Sequence, residues 1–468
     1  MITSALQRLV IANRAGRLQT RWPGWTVLGW GAFYPDITRE GFLAIPDQER
    51  AGHIGVVGTT RIGKTRLLEH LVSEDIRKGY SAVIFDPKGD LALFSRIVET
   101  AVETGRLGDL LFLSPVFSDY SIKVDPLSSY YMEEELVGHI VAGVTASGGS
   151  AEYFYKAAKE LATLVVAGCL VLKVHLGEAP RLTFLDVMNR IGYDELRQLK
   201  ETLEMIPGQT DLVERIARLL ETDKEWFSKV TSSLRLALQE LTFGATGKIL
   251  GKASHNEVID RLERGERIIL YCATGSLLTR EVSHIIGKVL ISMFQSLAGR
   301  LFASGQSLQH PLCIHIDEGD TVLYEGIQDL FNKGGGARFW LAFYVQSFAQ
   351  MDERIGGFAA KSIIDNINTW VYMRINHPET ARHIESSAPP VKLYEPVVPL
   401  GGSPAVMRTE KRPLVQGHHV QDLSPRVFFL SCQNGWAKGI TLTLPPPRLS
   451  VRFPPVPLGG FVQEASRL

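Results

Sequence analysis

The segment from Gly58 to Thr65 reads GTTRIGKT and matches the pattern GxxxxGK[ST] at every position. It follows the apolar run HIGVV and precedes a stretch, Thr65 to Arg77, with the pattern of a helix. A strand, a glycine-rich loop and a helix in this order form the context in which the pattern cradles phosphate groups with backbone amides. The loop consists of Gly58, Thr59, Thr60, Arg61, Ile62, Gly63, Lys64 and Thr65, with Arg66 directly after it.

We predict that the nine residues from Gly58 to Arg66 bind a nucleotide, ATP. The glycines let the backbone close around the phosphates, and the helix N-terminus adds partial positive charge. Lys64 is expected to reach the β and γ phosphates, and Thr65 is expected to ligate Mg²⁺. The loop is therefore the first half of a predicted phosphate-transfer site.

A second motif ends the apolar run LCIHI with two adjacent acids, Asp317 and Glu318. An apolar strand followed by Asp-Glu is common, so the motif gains meaning only beside the phosphate loop. In that pairing Asp317 holds the magnesium shell, and Glu318 orients and deprotonates the attacking water. Both acids are predicted site residues.

Two further polar residues follow predicted strands. Gln346 comes after FWLAFYV, and the carboxyl end of a parallel strand beside the loop faces the ligand crevice. Gln346 is expected to sense the γ phosphate or to hold the water. Asp86 follows SAVIF and either supports the metal or water indirectly or caps the next helix.

The apolar runs lack alternation, which indicates strands buried on both faces of a parallel sheet covered by helices. The fold class is therefore α/β: a RecA-like P-loop NTPase core with a predominantly parallel sheet and an inserted all-α domain. The runs are HIGVV, SAVIF (81–85), LLFL (110–113), RIILY (267–271), LCIHI (312–316), FWLAFYV (339–345) and WVYMRI (370–375).

Composition shifts divide the chain further. Leucines at helical spacing predict an inserted all-α domain over 129–245, so the motor domain is 49–128 plus 246–445. Residues 1–48 are basic and aromatic; they either contact phosphates, lipid head groups or another subunit, or pack on the core as helix and loop. The proline-rich tail, 446–468, suits an extended docking segment. Two strands, RVFFLS (426–431) and AKGITLTL (437–444), are predicted before it.

The bulk composition limits the partners. The 50 basic and 50 acidic residues cancel, so contact with nucleic acid must be local. The four cysteines form no CxxC pair and are typical of buried thiols in a reducing compartment. The run Leu161 to Leu172 is too short to span a membrane, and no export signal is visible, so we predict a cytoplasmic chain without a transmembrane segment.

Together these motifs resemble the TraD/TraG family of type IV coupling proteins, within the FtsK/HerA group of ring-shaped translocases. The similarity runs over most of residues 50–445, and VGTTR, DPKGD and NKGGGA in particular resemble segments of the TraD coupling factors of integrating conjugative elements. The segments that carry it are VVGTTRIGKTRL (56–67), VIFDPKGDL (83–91), VDPLS (124–128), IHIDEGD (314–320), LFNKGGGARF (330–339), YVQSFAQ (344–350) and DNINTWVYMRINHPETA (365–381).

The resemblance implies a homo-hexameric ring in which ATP hydrolysis moves DNA, single-stranded or double-stranded, through a central channel. It implies an arginine supplied by the neighbouring subunit, for which Arg338 is the candidate. Lys333 and Lys88 either contact the DNA backbone or are solvated surface residues. The family's partners are relaxase and relaxosome proteins and the ATPases of the secretion channel, and its helical domain faces that machinery.

Members of the family begin with transmembrane helices, which this sequence lacks. The chain is either recruited to the inner membrane by a membrane partner through residues 1–48, or a shortened form. Two other functions remain open: a cytosolic HerA/FtsK-type translocase in repair, packaging or defence, and an adaptor that recruits substrate but turns over nucleotide slowly. An ATPase assay with and without DNA separates the motor from the adaptor.

Overall fold

A computed structural model of the protein describes residues 23–144, 151–250, 255–397 and 406–454. Eleven of the described strands form one sheet, in the order β2-β1-β13-β12-β9-β3-β8-β7-β4-β6-β5, and β10 and β11 form a separate ribbon. The strands are β1 (Trp25–Phe33), β2 (Gly41–Pro46), β3 (Ile54–Val57), β4 (Ser81–Asp86), β5 (Leu110–Leu113), β6 (Ile269–Ala273), β7 (Leu312–Ile316), β8 (Phe339–Val345), β9 (Thr369–Tyr372), β10 (Pro390–Val397), β11 (Val406–Pro413), β12 (Val427–Cys432) and β13 (Gly435–Ile440).

The seven strands from β9 to β5 are mutually parallel. Strands β3, β4, β6, β7 and β8 are buried along their whole length, which explains why their sequences are continuous apolar runs without alternation. Each lies within two residues of a run identified in the sequence. The predicted fold class, α/β with a predominantly parallel sheet, is confirmed.

Helices cover both faces of the sheet. They are α1 (Lys64–Arg77), α2 (Leu91–Glu103), α3 (Glu133–Ala142), α4 (Ala151–His175), α5 (Phe184–Met188), α6 (Tyr193–Glu204), α7 (Thr210–Leu220), α8 (Lys224–Thr242), α9 (Gly244–Ile249), α10 (Glu257–Glu263), α11 (Arg280–Ala303), α12 (Gln328–Lys333), α13 (Phe348–Ile355), α14 (Gly357–Asn366), α15 (Pro378–Ser387) and α16 (Gly417–Gln421). Alternate residues of the strands face opposite sides, so α1 and α2 close one apolar core and α11 closes the other.

Every regular element described between residues 129 and 249 is a helix. This helical region shares one continuous apolar core with the sheet, because α3 and α8 pack against α11 and α11 covers the strands. A unit cut out at 129–245 would therefore expose apolar surface on α11. The helical region and the sheet are linked by packing as well as by sequence.

The part of residues 1–48 that the structure describes forms a β-hairpin, β1 and β2, where the sequence offered a helix and loop as one interpretation. β1 pairs with β13 and so extends the sheet. Gly31 permits this pairing, since a side chain there would collide with the carbonyl oxygen of Lys438. Residues 1–22, which carry most of the arginines of this segment, lie outside the described residues.

The start of the proline-rich tail runs across α2 instead of leaving the molecule. The amide of Arg448 donates to Glu99 Oε1 (2.8 Å), and the amide of Val451 donates to Ser95 Oγ (2.9 Å). Phe453 stacks on Phe117 with ring centroids 4.2 Å apart. The described part of the predicted docking segment is thus an extended strap bound to its own chain, and residues 455–468 lie outside the described ones.

One described helix, α11, is long and apolar enough to cross a membrane by length and composition. Its most apolar window is 67% buried inside the protein, as in the central helix of a folded core. Within the described residues all four cysteines are free thiols, and three of them are buried.

Candidate nucleotide site

The phosphate loop connects β3 to α1 and is fixed from both neighbouring strands. The amide of Gly58 donates to Val345 O at the end of β8 (3.1 Å), and the amide of Thr59 donates to Arg374 O beyond β9 (2.8 Å). Arg61 (φ 59°) and Gly63 (φ 114°) adopt left-handed backbone conformations that curl the loop. Because α1 begins at Lys64, the amides of Lys64 and Thr65 have no carbonyl of a preceding turn to bind, whereas those of Arg66 and Leu67 donate to Gly63 O. The loop presents amide donors where an anion fits.

Lys64 lies inside this loop, and its ammonium donates to the carbonyl oxygens of Gly58 and Thr59, the latter at 3.0 Å. Burial lowers the pKa of Lys64 to about 8, although the carboxylates of Asp317 and Glu318 act in the opposite direction. The lysine is thus held in a partly desolvated position from which it can turn toward a phosphate. Asp317 and Glu318 are near enough to act on this ammonium, which agrees with the order of β3, β8 and β7 in the sheet.

The acids follow β7, which is separated from β3 by one strand, β8. Two strand spacings place the end of β7 roughly 10 Å from the loop, enough room for phosphate groups and a metal ion. Asp317 is buried, and its Oδ1 accepts the amide of Glu318 at 3.0 Å. Glu318 is partly exposed and has a left-handed backbone (φ 48°), a costly conformation for a residue with a side chain that often marks functional sites.

Lys88 lies at the same place, in the loop after β4. Its ammonium is 3.0 Å from Glu318 Oε1 and 3.5 Å from Asp317 Oδ2. Burial alone would lower the pKa of Lys88, but Asp317 and Glu318 outweigh it and raise that pKa. The sequence offered DNA contact or a surface position for this lysine. The structure places it against Asp317, the predicted metal ligand, and Glu318, the predicted base.

Asp86 organises the loop that carries Lys88. One carboxylate oxygen accepts the amides of Lys88 (3.0 Å) and Gly89 (3.1 Å), and the other accepts the amide of Asp90 and the hydroxyl of Tyr271, both at 2.6 Å. The interpretation of Asp86 as a helix cap is wrong, because Asp90 caps α2 with bonds to Ala92 and Leu93. Since its four bonds are internal, Asp86 acts as an anchor for the loop.

Gln346 and Arg338 lie at opposite ends of β8. Gln346 follows Val345, the residue bonded to Gly58, and is partly buried beside the phosphate loop. Arg338 is exposed at the amino end of the strand, where its guanidinium donates to Leu308 O (3.1 Å) and Gln309 O (2.9 Å). Within one subunit, therefore, Arg338 stays on the edge of the sheet away from the loop. Lys333 is exposed and pairs with Asp329 (3.4 Å).

Thr65 and Asp317 suit a magnesium ion that is bound together with a triphosphate. Among the described residues no three His, Cys, Asp or Glu side chains form a metal cage. Mg²⁺ in nucleotide sites takes only one or two protein oxygens and completes its shell with phosphates and water. The hydroxyl of Thr65 and the buried carboxylate of Asp317 would supply the protein oxygens, and the backbone amides of the loop would bind the phosphates.

Two features of the surroundings escaped the sequence patterns. Asp320, the third acid of DEGD, is buried, which raises its pKa to about 6, and Arg354 Nε lies 3.9 Å away. Arg50 is fully buried and forms a two-pronged ion pair with Asp75 of α1, whose Oδ2 also contacts His315 Nε2 at 2.7 Å. Asp320 could have been found from the sequence, because it is the last acid of the motif IHIDEGD. The pair of Arg50 and Asp75 could not, because it joins segments that no local pattern connects.

Two family models match the chain, and both cover this site. Residues 39–98, which include the phosphate loop and Lys88, match the type IV secretion-system coupling protein DNA-binding domain. Residues 311–387, which include Asp317, Glu318 and Gln346, match the TraM recognition site of TraD and TraG. Both models describe coupling proteins of the TraD/TraG type, and the chain is similar to them over these two segments. The two models thus confirm the resemblance that the sequence motifs indicated. The segments that they match are far apart in the chain, but their strands lie in one sheet.

Solved structures share the fold of this chain. The bacterial conjugative coupling protein TrwBdeltaN70, in an unbound form, is 16% identical, with a TM-score of 0.65 and coverage of 88% of each chain. TrwB in complex with the ATP analogue ADPNP is 16% identical, with a TM-score of 0.64 over 88% of this chain and 89% of the other. VirB4 of Thermoanaerobacter pseudethanolicus is 10% identical, with a TM-score of 0.52 over 90% and 96%. No curated protein matches the sequence.

Proposed function

We propose that this chain is an ATP-hydrolysing motor that moves DNA and links a relaxase–DNA substrate to a type IV secretion channel. The observation that supports it is the convergence of Lys64, Asp317 and Glu318 at the carboxyl ends of neighbouring parallel strands. Solved relatives were obtained with ADPNP and with ADP and Mg²⁺, which supports nucleotide and magnesium at the same loop.

In this proposal the amides from Thr60 to Thr65 and the ammonium of Lys64 hold the phosphate chain. Thr65 and Asp317 hold Mg²⁺, which when bound neutralises the charge that develops on the phosphate oxygens. Glu318, partly exposed and not buried like Asp317, accepts the proton of the attacking water. Gln346 orients that water or reports on the γ phosphate from the end of β8.

The assembly is part of the same proposal. A homo-hexamer would place Arg338, which lies away from its own loop, against the site of the neighbouring subunit. Single-stranded DNA, or double-stranded DNA, would thread the ring, and the matched DNA-binding domain model supports such a partner. The helical region would face the relaxosome or the secretion ATPases. A membrane partner would then hold this cytoplasmic ring at the inner membrane.

Steady-state ATP hydrolysis with and without single-stranded DNA tests the proposal. DNA should stimulate the wild type, and Lys64→Ala should abolish turnover with and without DNA. A matched control is Lys229→Ala, which removes an exposed lysine paired with Glu225 at 2.9 Å on the helical region. Turnover that DNA does not stimulate and that survives Lys64→Ala would leave only an adaptor role.

A further inference from the structure

The contact between Lys88 and the two acids has a consequence for metal binding. Among the described residues Lys88 is the cation that forms ion pairs with Asp317 and Glu318. Lys64 is nearby, but its ammonium is bonded to loop carbonyls. A single ammonium between two carboxylates supplies one positive charge at oxygens where a divalent cation would supply two.

The position of Lys88 is built into the chain and does not depend on a loose surface loop. Asp86 fixes the backbone through the amides of Lys88, Gly89 and Asp90, and the hydroxyl of Tyr271 holds Asp86 in turn. The side chain of Lys88 is nevertheless 46% exposed, so its flexible stem can swing while the backbone stays in place. The loop therefore aims a mobile cation at the acids.

We propose that Lys88 is an internal counter-ion that occupies the metal position at Asp317 and Glu318 until a nucleotide arrives. Free Mg²⁺ must compete with the ammonium for both carboxylates, whereas Mg²⁺ bound to a triphosphate brings phosphate oxygens toward which Lys88 can turn. The site thus discriminates against metal without nucleotide. This inference rests on the proposed function, in that it takes Asp317 as the metal-binding acid and Glu318 as the base beside it.

Binding of Mn²⁺ to the nucleotide-free chain, measured by electron paramagnetic resonance, tests the inference without any turnover. Lys88→Met removes the charge but keeps the length of the stem, and it should tighten Mn²⁺ binding at least about tenfold. Lys88→Arg should restore the weak wild-type affinity. The control Lys229→Met, in which the lost ion pair has a similar length of 2.9 Å, should leave Mn²⁺ binding unchanged.

Equal Mn²⁺ affinity in the wild type and Lys88→Met would refute the counter-ion role, and so would weaker binding in the variant. A loss of affinity for single-stranded DNA with unchanged Mn²⁺ binding would assign Lys88 to the DNA path instead. Thermal unfolding of Lys88→Arg and Lys88→Met shows whether both variants are folded. Failure of the wild type to bind any ATP analogue would defeat the proposed function, while the Mn²⁺ comparison would still report on Lys88.

Discussion

In the parallel half of the sheet, from β9 to β5, the residues of the site follow the carboxyl ends of β3, β4, β7 and β8. In the antiparallel half, from β2 to β12, the strands carry no motif and touch the phosphate loop through Arg426, whose amide donates to Ile62 O at 2.8 Å. The parallel half gathers side chains at one edge because all its strands end there. The antiparallel half braces that edge. Mutations in the site should therefore change ATP hydrolysis, and mutations in the supporting contacts should change stability.

The largest expected effect comes from Glu318→Gln in the parallel half. If Glu318 is the general base, ATP hydrolysis should fall about 10²–10⁴-fold, while nucleotide binding and thermal stability stay close to wild type. The matched control in the antiparallel half is Glu40→Gln, which only alters an exposed bond from Trp30 Nε1 (3.1 Å). Hydrolysis rates from a coupled assay check both. Equal hydrolysis rates for Glu318→Gln and the control would show that Glu318 is not the general base.

Asp75→Asn should have the next largest effect, and on stability instead of chemistry. Arg50 follows β2 and Asp75 lies on α1, so this buried pair joins the two halves. Removal of one partner leaves a buried charge unpaired, which costs about 3–5 kcal/mol of unfolding free energy. Urea denaturation measures the change. The exposed pair of Asp36 and Arg39 (3.2 Å) provides the control, and Asp36→Asn should cost no more than about 1 kcal/mol.

The extended tail packs beside β5, at the edge of the parallel half of the sheet. Phe453 stacks on Phe117, Phe112 and Phe94. Phe453→Ala should therefore reduce the unfolding free energy by about 1–2 kcal/mol, less than a fully buried aromatic, because the ring is only partly buried. Tyr131→Ala, which changes an aromatic ring that is 83% exposed, is the control for chemical denaturation. Identical midpoints for the two variants would mean that the strap does not hold.

The smallest predicted effect is an acid sensitivity centred on His53, at the start of β3. Its Nδ1 accepts the amide of Leu341 (3.2 Å) and its Nε2–H donates to Phe331 O (2.9 Å), an arrangement assigned from these two bonds that requires the neutral ring. Burial lowers the pKa of His53 to about 4, so the unfolded chain binds the proton more readily. Stability contributed by the neutral ring is present above about pH 6.5 and is lost as the pH falls toward 4.

At pH 5.5 this loss amounts to about 1 kcal/mol for His53. Denaturation curves at pH 7.5 and 5.5 measure it, and His53→Gln should reduce the difference between the two pH values. His175, an exposed residue at the end of α4, supplies the control substitution. A pH dependence that His53→Gln leaves intact would place the sensitivity elsewhere.

The sequence predicted the parallel half well because local rules determine it. Buried parallel strands are continuous apolar runs, and the loop from Gly58 to Thr65 has a fixed spacing. Asp317 and Glu318 could be identified because they end such a run. The hairpin β1–β2 was missed, since its pairing with β13 depends on glycines at Gly29 and Gly31 that read locally as breaks.

Contacts between distant segments account for the rest. Lys88 was singled out as a basic loop residue, but its partners Asp317 and Glu318 are more than 200 positions away in the chain. The interpretation of Asp86 as a cap was wrong because Asp90 caps α2, while Asp86 is bonded to Tyr271 from a strand distant in the sequence. A role for Arg338 toward a neighbouring subunit remains a prediction, since it needs a second copy of the chain.

One diffraction experiment addresses the central claim directly: the structure with a non-hydrolysable ATP analogue and Mn²⁺, with the metal located by its anomalous signal. The account predicts one metal peak, about 2.0–2.3 Å from Thr65 Oγ1, with Asp317 beside it and the ammonium of Lys88 displaced from the carboxylates. A metal or triphosphate bound away from Thr65 and Asp317 would contradict the account.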